Sequence, residues 1–179
     1  MQPQPRVEIV HLNQPTLAGL ATGDIATANR TSPVPLPDSF DIPDWRGTWQ
    51  RRAAQVLTDP RSADWITGIV WDPQLRLPVG RAGFHGPPDD AGMVEVGYAI
   101  DPRYRRRGYA RAALELLLRR ATADPTITVV RASISPTNTA SYALVAPYGF
   151  VEVGQLWDDE DGWETIYELQ VPAERAAPL

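Results

Sequence analysis

The feature that most constrains this chain is the segment Val94–Arg111, VEVGYAIDPRYRRRGYAR, in which an alternating apolar strand runs through a basic loop into a helix. Gly108 stands just before the helix. A helix N-terminus presents unpaired backbone N–H groups and the positive end of the helix dipole, so it binds anions readily. Five arginines between Arg103 and Arg111 add full positive charges. The segment therefore predicts a site for a phosphate-bearing molecule.

Composition excludes several kinds of chemistry. The chain has no cysteine, which excludes disulfides, thiol catalysis and cysteine-based zinc sites. Two histidines, His11 and His85, are too few for a histidine-rich metal site, so we expect no metal. All 17 basic residues are arginine, and no lysine is present to form a Schiff base.

Charge and hydropathy bear on partners and location. The net charge of −5 argues against a general nucleic-acid binder. No apolar run approaches the roughly 20 residues of a membrane span. The first residues, MQPQPRVEIV, lack the apolar segment of a secretory signal. We therefore expect a cytoplasmic protein that binds neither nucleic acid nor membrane.

Hydrophobic periodicity predicts seven strands and four helices. The strands are expected at Arg6–Leu12, Trp65–Trp71, Pro78–His85, Met93–Ile100, Ile127–Ile134, Phe150–Leu156 and Trp163–Leu169. The helices are expected at Thr16–Asn29, at Trp45–Leu57 with Asp44 as its cap, at Gly108–Ala121, and from Pro136 to a C-cap near Gly149.

The order of these elements predicts the architecture. Short turns join the strands between residues 65 and 100, which indicates an antiparallel meander. The strand, helix and strand between residues 93 and 134 form one unit whose strands should be parallel. We expect an α/β fold, α+β by some schemes, with a mixed sheet of about seven strands and about four flanking helices. Residues 1–171 form a single domain in this interpretation, with a loose arm at 1–5 and a disordered tail at 172–179.

Three local patterns in this order are typical of one known family. Residues Arg105 to Ala110 match the pattern R-x-x-G-x-A, and they follow a strand that ends in Ile100-Asp101-Pro102. Asn138 comes next, and Gly149-Phe150 follows eleven residues later. From Val7 to Leu169 the chain resembles the GCN5-related N-acetyltransferase (GNAT) superfamily. With Asn138 and Ser141 it is similar to the branch of Rim-like ribosomal-protein N-terminal acetyltransferases.

The resemblance implies acetyl-CoA as cosubstrate and acetyl transfer to a primary amine by direct attack in a ternary complex. Backbone N–H groups of Arg106–Ala110 would hold the pyrophosphate, and the strand end would pair with pantetheine, with Gly97 marking a bulge that opens the strands. A backbone N–H near Ile100 would polarise the thioester carbonyl. The implied cofactor-binding residues are Tyr98, Ala99, Ile100, Arg105, Arg106, Arg107, Gly108, Tyr109, Ala110, Arg111, Asn138 and Ser141.

The candidate catalytic residues are Glu95, Ser141 and Tyr142. Alternation places Glu95 on one strand face with Gly97 and Ala99, where small neighbours leave room for a substrate. An ammonium must lose a proton before it attacks a thioester, so a base there is useful, directly or through water. The other interpretation of Glu95 is an ordinary strand carboxylate that pairs with Arg81 or Arg131.

The proton donor to the departing thiolate is less defined. Many family members carry a tyrosine four residues before the glycine of the Gly-Phe pair, and Val145 stands there in this chain. Ser141, Tyr142 or Tyr148 could replace that tyrosine, or the thiolate could leave without an acid. His85 is interpreted as structural or solvated.

The acceptor stays open between a protein N-terminus and a small-molecule amine. Asp158 to Asp161 form either a solvated turn or an acidic lip that attracts a cationic amine. Most of the six tryptophans are expected to pack in the core or at its rim, but Trp45 and Trp49, one helical turn apart, could also face an acceptor with apolar bulk. Other functions also stay open: a longer acyl-CoA as donor, a non-catalytic CoA-binding module, or a phosphate- or nucleotide-binding domain. A homodimer that pairs through the C-terminal hairpin is open as well.

Overall fold

A seven-stranded mixed sheet organises the part of the chain that the computed structural model describes, residues 4–159 and 162–172. Its strands in chain order are β1 (Glu8–Val10), β2 (Gly68–Asp72), β3 (Leu77–Phe84), β4 (Met93–Ile100), β5 (Val129–Ile134), β6 (Val151–Asp158) and β7 (Gly162–Gln170). They lie in the order β1-β2-β3-β4-β5-β7-β6. The β4–β5 pair is parallel and every other neighbouring pair is antiparallel. The mixed sheet, the meander and the parallel unit are thus confirmed.

Five α-helices flank the sheet in the described ranges, where about four were expected. They are α1 (Gln14–Thr22), α2 (Ile25–Asn29), α3 (Arg46–Thr58), α4 (Tyr109–Ala123) and α5 (Thr139–Val145). The extra helix arises because the single helix expected at Thr16–Asn29 is broken. Gly23 ends α1 in the left-handed conformation at φ 76°, and Asp24 caps α2 by accepting from the Thr27 N–H at 2.9 Å. None of the helices described here is long and apolar enough to cross a membrane.

Two predictions at the chain's N-terminal side need correction. Asp44 does not cap α3, because it lies inside a short 3₁₀ turn, Pro43–Trp45, that runs directly into the helix. The expected loose arm is docked where it is described, since Gln4 Nε2 donates to Glu115 Oε2 of α4 at 2.8 Å. Residues 1–3 of that arm and residues 173–179 of the predicted tail lie outside the described residues.

Helices cover both faces of the sheet. The helices α4 and α5 pack on one face, where Val94 and Val96 of β4 are buried beside Leu114 and Val145. The helices α1, α2 and α3 pack on the opposite face around Trp49. Because side chains alternate along a strand, β4 sends Val94 and Val96 toward α4 while the intervening positions face α3. The site described below lies between these layers.

The neighbouring strands β4 and β5 separate halfway along. Pairing runs from Met93 and Val129 to Glu95 and Arg131 and then stops. Beyond that point β4 continues with β3 as far as Ile100, while β5 stays paired with β7 along its whole length. Thus β4 stays with β3 and β5 stays with β7, and a gap opens between β4 and β5.

The predicted bulge at Gly97 is wrong. The β3–β4 register runs without a shift from Gly80 opposite Ile100 to Phe84 opposite Val96. The gap therefore comes from divergence of two regular strands and not from an extra residue in one of them.

A stability prediction follows from the break between α1 and α2. Replacing Gly23 with alanine should lower the free energy of unfolding by about 1–2 kcal/mol, because an L-residue is strained in the left-handed region. The new Cβ would also approach the guanidinium of Arg46, whose Nη2 lies 2.4 Å from its ideal position. Urea denaturation of purified protein measures the change.

Gly47 is the matched control, since its nearest neighbouring atom would be Arg51 Nη1 at 3.9 Å from an added Cβ. It is exposed within α3, so alanine there should raise the free energy of unfolding by about 0.5–1 kcal/mol. Equal effects of the two substitutions would contradict the role assigned to the Gly23 conformation.

Candidate active site

The loop between β4 and α4 carries backbone N–H groups without protein partners. Gly108 precedes α4 at φ 86°, and Arg106 also has a positive φ of 62°. In the described chain, the N–H groups of residues 105–111 donate to no protein acceptor, and the first that does is Ala112, to Gly108 O at 3.0 Å. Such a run of free donors at the start of a 15-residue helix is an anion-binding arrangement.

Several side chains of this loop hold its shape. Arg103 forms an ion pair with the buried Asp101 and also donates to Ser39 O at 2.8 Å. Arg105 Nε donates to Ile100 O at 3.0 Å. These arginines stiffen the loop, which leaves less of the predicted charge to meet a ligand.

Other predicted loop residues divide between core and surface. The phenol of Tyr109 is buried and donates to Asp72 Oδ2 at 2.7 Å, so this residue offers a ligand its backbone only. Burial and the Asp72 carboxylate raise the pKa of Tyr109 to about 12. Arg106 and Arg111 are exposed, as is Arg107, which lies over the Tyr104 ring at 5.7 Å. Ala110 is half-buried in the first turn of α4.

At the end of β4, backbone N–H and C=O groups point into the gap between β4 and β5. Glu95 O accepts from His85 N, and Asp101 N donates to Val79 O, so the odd-numbered positions of β4 pair with β3. By alternation, the N–H and C=O groups of Tyr98 and Ile100 face away from β3, toward β5, where Ile100 O already accepts from Arg105. Ala99, the third predicted pantetheine contact, lies opposite Arg81 of β3. Its N–H and C=O groups therefore point toward β3 and not into the gap.

A cavity of about 650 Å³ occupies the gap and extends toward α3 and the β6–β7 hairpin. Both faces of β4 contribute to its wall: Glu95 and Gly97 from the α3 side, and Val96 and Tyr98 from the α4 side. The cavity therefore reaches the edge of β4 where its pairing with β5 has stopped. Asn138 and Ser141 also line it.

Glu95 stands where the gap begins. Ser133 Oγ donates to Glu95 Oε1 at 2.6 Å, and His85 Nδ1 lies 3.7 Å from the same oxygen. The Cα register places Arg131 beside Glu95, but the Arg131 guanidinium pairs with Glu168 at 2.7 Å. The interpretation that Glu95 is neutralised by Arg131 is therefore wrong. Sequence reasoning missed Ser133, although it shares a strand face with Arg131, two residues away.

His85 is held by α3. Its carbonyl accepts from Arg52 Nη1 at 3.1 Å and from Gln55 Nε2 at 2.9 Å, and Arg52 Nε reaches Thr67 Oγ1 at 3.2 Å. Burial and the nearby Arg51 lower the pKa of Arg52 to about 10, so it stays charged at neutral pH. Arg52 thus places a positive charge next to the His85 carbonyl.

Asn138, Ser141 and Tyr142 begin α5 on the far side of the gap. Asn138 Oδ1 accepts from the Ser141 N–H at 3.1 Å, which confirms Asn138 as a helix cap. Ser141 lines the cavity next to Tyr98. Partial burial raises the pKa of the Tyr98 phenol, and the Ser141 hydroxyl acts in the opposite direction. Tyr142 is about half exposed and packs on Tyr167, with ring centroids 5.3 Å apart.

Two further predictions concern the acceptor side. Trp45 and Trp49 are 4% and 2% exposed and belong to the core, so they offer no apolar pocket to an acceptor. Thr48, Arg51 and Arg52 line the cavity instead. Thr48, Arg51 and Arg52 share one face of α3, since they are three and four residues apart. That face differs from the one on which Trp49 lies.

The acidic segment of the hairpin borders the same cavity. Asp158 and Asp159 line it together with Glu164, Leu156 and Trp157. The remaining acids of the predicted lip, Glu160 and Asp161, lie outside the described residues. The cavity wall therefore combines arginines from α3 with carboxylates from the hairpin.

Several solved structures share this fold. The ribosomal L7/L12 alpha-N-protein acetyltransferase RimL, solved with coenzyme A, superposes with a TM-score of 0.66 at 13% identity, over 94% of this chain and 96% of that one. Ribosomal-protein-S5-alanine acetyltransferase from Vibrio fischeri gives 0.62 at 14% identity, over 99% and 98%. A mutant spermidine N-acetyltransferase SpeG from Vibrio cholerae gives 0.63 at 14% identity, over 92% and 94%. At such identities the likeness shows the fold.

Sequence similarity shows the family. The model of the acetyltransferase (GNAT) domain matches residues 26–151, well over half of the chain, so this protein belongs to the GNAT acetyltransferase family. The family model describes an acetyltransferase domain, and the solved RimL structure contains coenzyme A. The uncharacterized N-acetyltransferase YjdG of Bacillus subtilis (strain 168) is 34% identical over 73 residues, which is 41% of this chain and 44% of YjdG. The match thus spans less than half the length of that curated relative.

The cap of α5 generates a testable prediction. Replacing Asn138 with alanine should lower the free energy of unfolding by about 1 kcal/mol, because the Ser141 N–H loses its acceptor. Aspartate keeps an acceptor oxygen at the same place, so Asn138→Asp should retain the wild-type stability. Thermal unfolding and CoA titration of both variants separate the two roles of the residue. If Asn138 served only as a cap, Asn138→Asp would bind CoA as tightly as wild type.

Proposed function

We propose that this protein transfers an acetyl group from acetyl-CoA to a primary amine by direct attack in a ternary complex. Two observations carry the proposal: the cavity along the gap between β4 and β5, which Glu95 and Tyr98 line, and the free backbone donors of the loop that follows β4. A thioester that enters from the α4 side and an amine that enters from the α3 side can meet in this gap.

The cofactor half of the site would use backbone groups. The N–H groups of residues 106–110 would bind the pyrophosphate, where free donors and the α4 dipole both favour negative charge. Pantetheine would pair with Tyr98 and Ile100 along the open edge of β4, as an added strand does. A backbone N–H at that edge would stabilise the oxyanion of the tetrahedral intermediate.

The acceptor half would supply negative charge at the point of attack. Glu95, held by Ser133, would draw the proton from the acceptor ammonium, directly or through an intervening group. Of the predicted acids for the thiolate, Ser141 is supported by its place on the cavity wall. Tyr142 as an acid is not supported in the same way, since its ring rests on Tyr167.

The acceptor is proposed only as a primary amine. The structural neighbours include enzymes named for ribosomal proteins and for spermidine. The carboxylates Asp158, Asp159 and Glu164 on the cavity wall favour a cationic amine. A cytoplasmic location and a homodimer stay predictions from the sequence.

A panel of peptides and small amines tests the function. Purified protein is incubated with acetyl-CoA and each amine, thiol release is followed, and the acetylated product is verified by mass spectrometry. Amine-dependent release of CoA supports the proposal. Tight binding of CoA without turnover over the whole panel would favour a non-catalytic module, and turnover only with longer acyl-CoA would favour a different donor.

The loop of residues 105–108 before α4, called the anion loop, can be tested separately. The double variant Arg106→Gln/Arg107→Gln should weaken CoA binding by about tenfold at low salt, because each exposed charge near the phosphates contributes modestly. The loss should shrink at high salt, where screening already weakens both charges. Calorimetric titration with CoA measures the change.

Arg119→Gln is the matched control, because Arg119 is an exposed arginine of α4 that lies about three turns beyond the loop. It should bind CoA as wild type does. An equal loss in the control would point to net charge as the cause and would contradict the loop site.

A further inference from the structure

The strongest feature that the proposed function leaves unexplained is a histidine on the wall of the cavity. We propose that His85 is the group that takes the proton from the acceptor ammonium, and that Glu95 orients His85 and stabilises its charged form. This inference rests on the proposed function and assigns the proton-accepting atom within it.

The position of the imidazole carries the proposal. Its Nδ1 lies 3.7 Å from Glu95 Oε1, and its Nε2 lies against Gly97, only 2.9 Å from where a Cβ would stand. Gly97 is two residues further along β4 than Glu95, toward the proposed pantetheine edge. Because Glu95 and Gly97 share a strand face, the ring extends from the carboxylate toward that edge. Nε2 is therefore the nitrogen nearer the proposed thioester position.

The backbone of His85 is fixed on both sides. Its N–H donates to Glu95 O at 2.8 Å, and its carbonyl accepts from Gln55 at 2.9 Å and from Arg52 at 3.1 Å. About half of the side chain stays exposed in the cavity. The residue is thus anchored by the sheet and by α3, while its ring remains accessible to a substrate.

The charges around the ring favour a neutral imidazole before the reaction. The groups that face it are Arg51 and Arg52 from α3, Arg81 from β3 and Glu95 from β4. Partial burial lowers the pKa of His85 most, Glu95 opposes this shift, and the three arginines add to it. At neutral pH the ring is therefore mostly unprotonated, with a lone pair free to accept a proton.

Glu95 alone is less suited to accept the proton. Its Oε1 already accepts from Ser133 at 2.6 Å and stands at the start of the gap, where the strands are still paired. A carboxylate in this position can stabilise an imidazolium that forms next to it. The two residues therefore have different roles, since the ring takes the proton and the carboxylate supplies the compensating charge.

The chemical step balances with these groups. His85 Nε2 accepts one proton from the ammonium, and the freed amine attacks the thioester carbonyl carbon to form a C–N bond. The C–S bond then breaks, the electron pair stays on sulfur, and the thiolate takes the second proton of the former amine. The imidazolium finally releases its proton to solvent, which leaves an amide and a thiol.

The central test compares His85→Ala with wild type on an amine from the active panel. We expect kcat to fall by about 10²–10⁴-fold, the usual range for loss of a general base, with CoA affinity and thermal stability retained. Added imidazole should restore part of kcat in His85→Ala and none in Glu95→Gln, because only the first variant leaves a ring-sized space. Unchanged kcat in His85→Ala, or a loss that imidazole does not rescue, would overturn the inference.

The pH profile gives a second readout. With saturating amine, wild-type kcat should rise with pH through an apparent pKa below the ordinary 6.5 of histidine. Glu95→Gln removes the influence that raises the pKa of His85, so its acid limb should move to lower pH. An acid limb that stays in place in Glu95→Gln would contradict the pairing.

Two variants serve as controls for position and folding. In Gly97→Ala the new methyl would displace the ring, so kcat should fall while thermal stability is kept. His11→Gln changes the other histidine, which lies beside Arg120 at 3.5 Å, away from the cavity, and it should leave kcat unchanged.

If wild type acetylates no amine at all, the proposed function fails. If wild type is active and His85→Ala equals it, only the role of His85 fails.

Discussion

The divergence of β4 from β5 is the constraint on which the rest of the structure depends. Parallel strands normally continue their ladder, because unpaired backbone groups in a protein interior are costly. Here the ladder stops at Glu95 and Arg131, and each strand remains with its antiparallel neighbour. The open edge of β4 therefore keeps donors and acceptors that an extended ligand can use. In the proposed function, this edge would bind the cofactor through unpaired backbone groups and not through a special side chain.

The same divergence sets where charges can be placed. Glu95 and Ser133 belong to different strands, yet their side chains bond at 2.6 Å because they flank the point of separation. The buried Arg52 extends this cluster into α3 by bonding the His85 carbonyl and Thr67. A buried guanidinium that loses bonding partners carries a large desolvation penalty, so the contacts of Arg52 couple the helical layer to the gap. The α3 side of the cavity is thus part of the packing between α3 and the sheet.

The local patterns of the sequence predicted most elements because local forces determine them. The alternating residues of β4 define its bounds, Met93–Ile100, as expected, and the strand-helix-strand order predicts the parallel pair. The break at Gly23 was missed because glycine in a helical pattern is often tolerated, and only its φ of 76° reveals a cap. Periodicity predicts that Trp45 and Trp49 share a face without showing which way that face points, and only the structure decided that both lie in the core.

The sequence by itself determined the order of elements, the anion loop before α4, and Glu95 as a strand carboxylate with small neighbours. These follow from periodicity, glycine conformation and helix ends, which act over a few residues. Only the tertiary structure decided that Arg131 pairs with Glu168, that Ser133 bonds Glu95, and that His85 lies against Gly97. Such contacts join residues far apart in the chain, since they depend on where β4 and β5 diverge and on how α3 packs across the sheet.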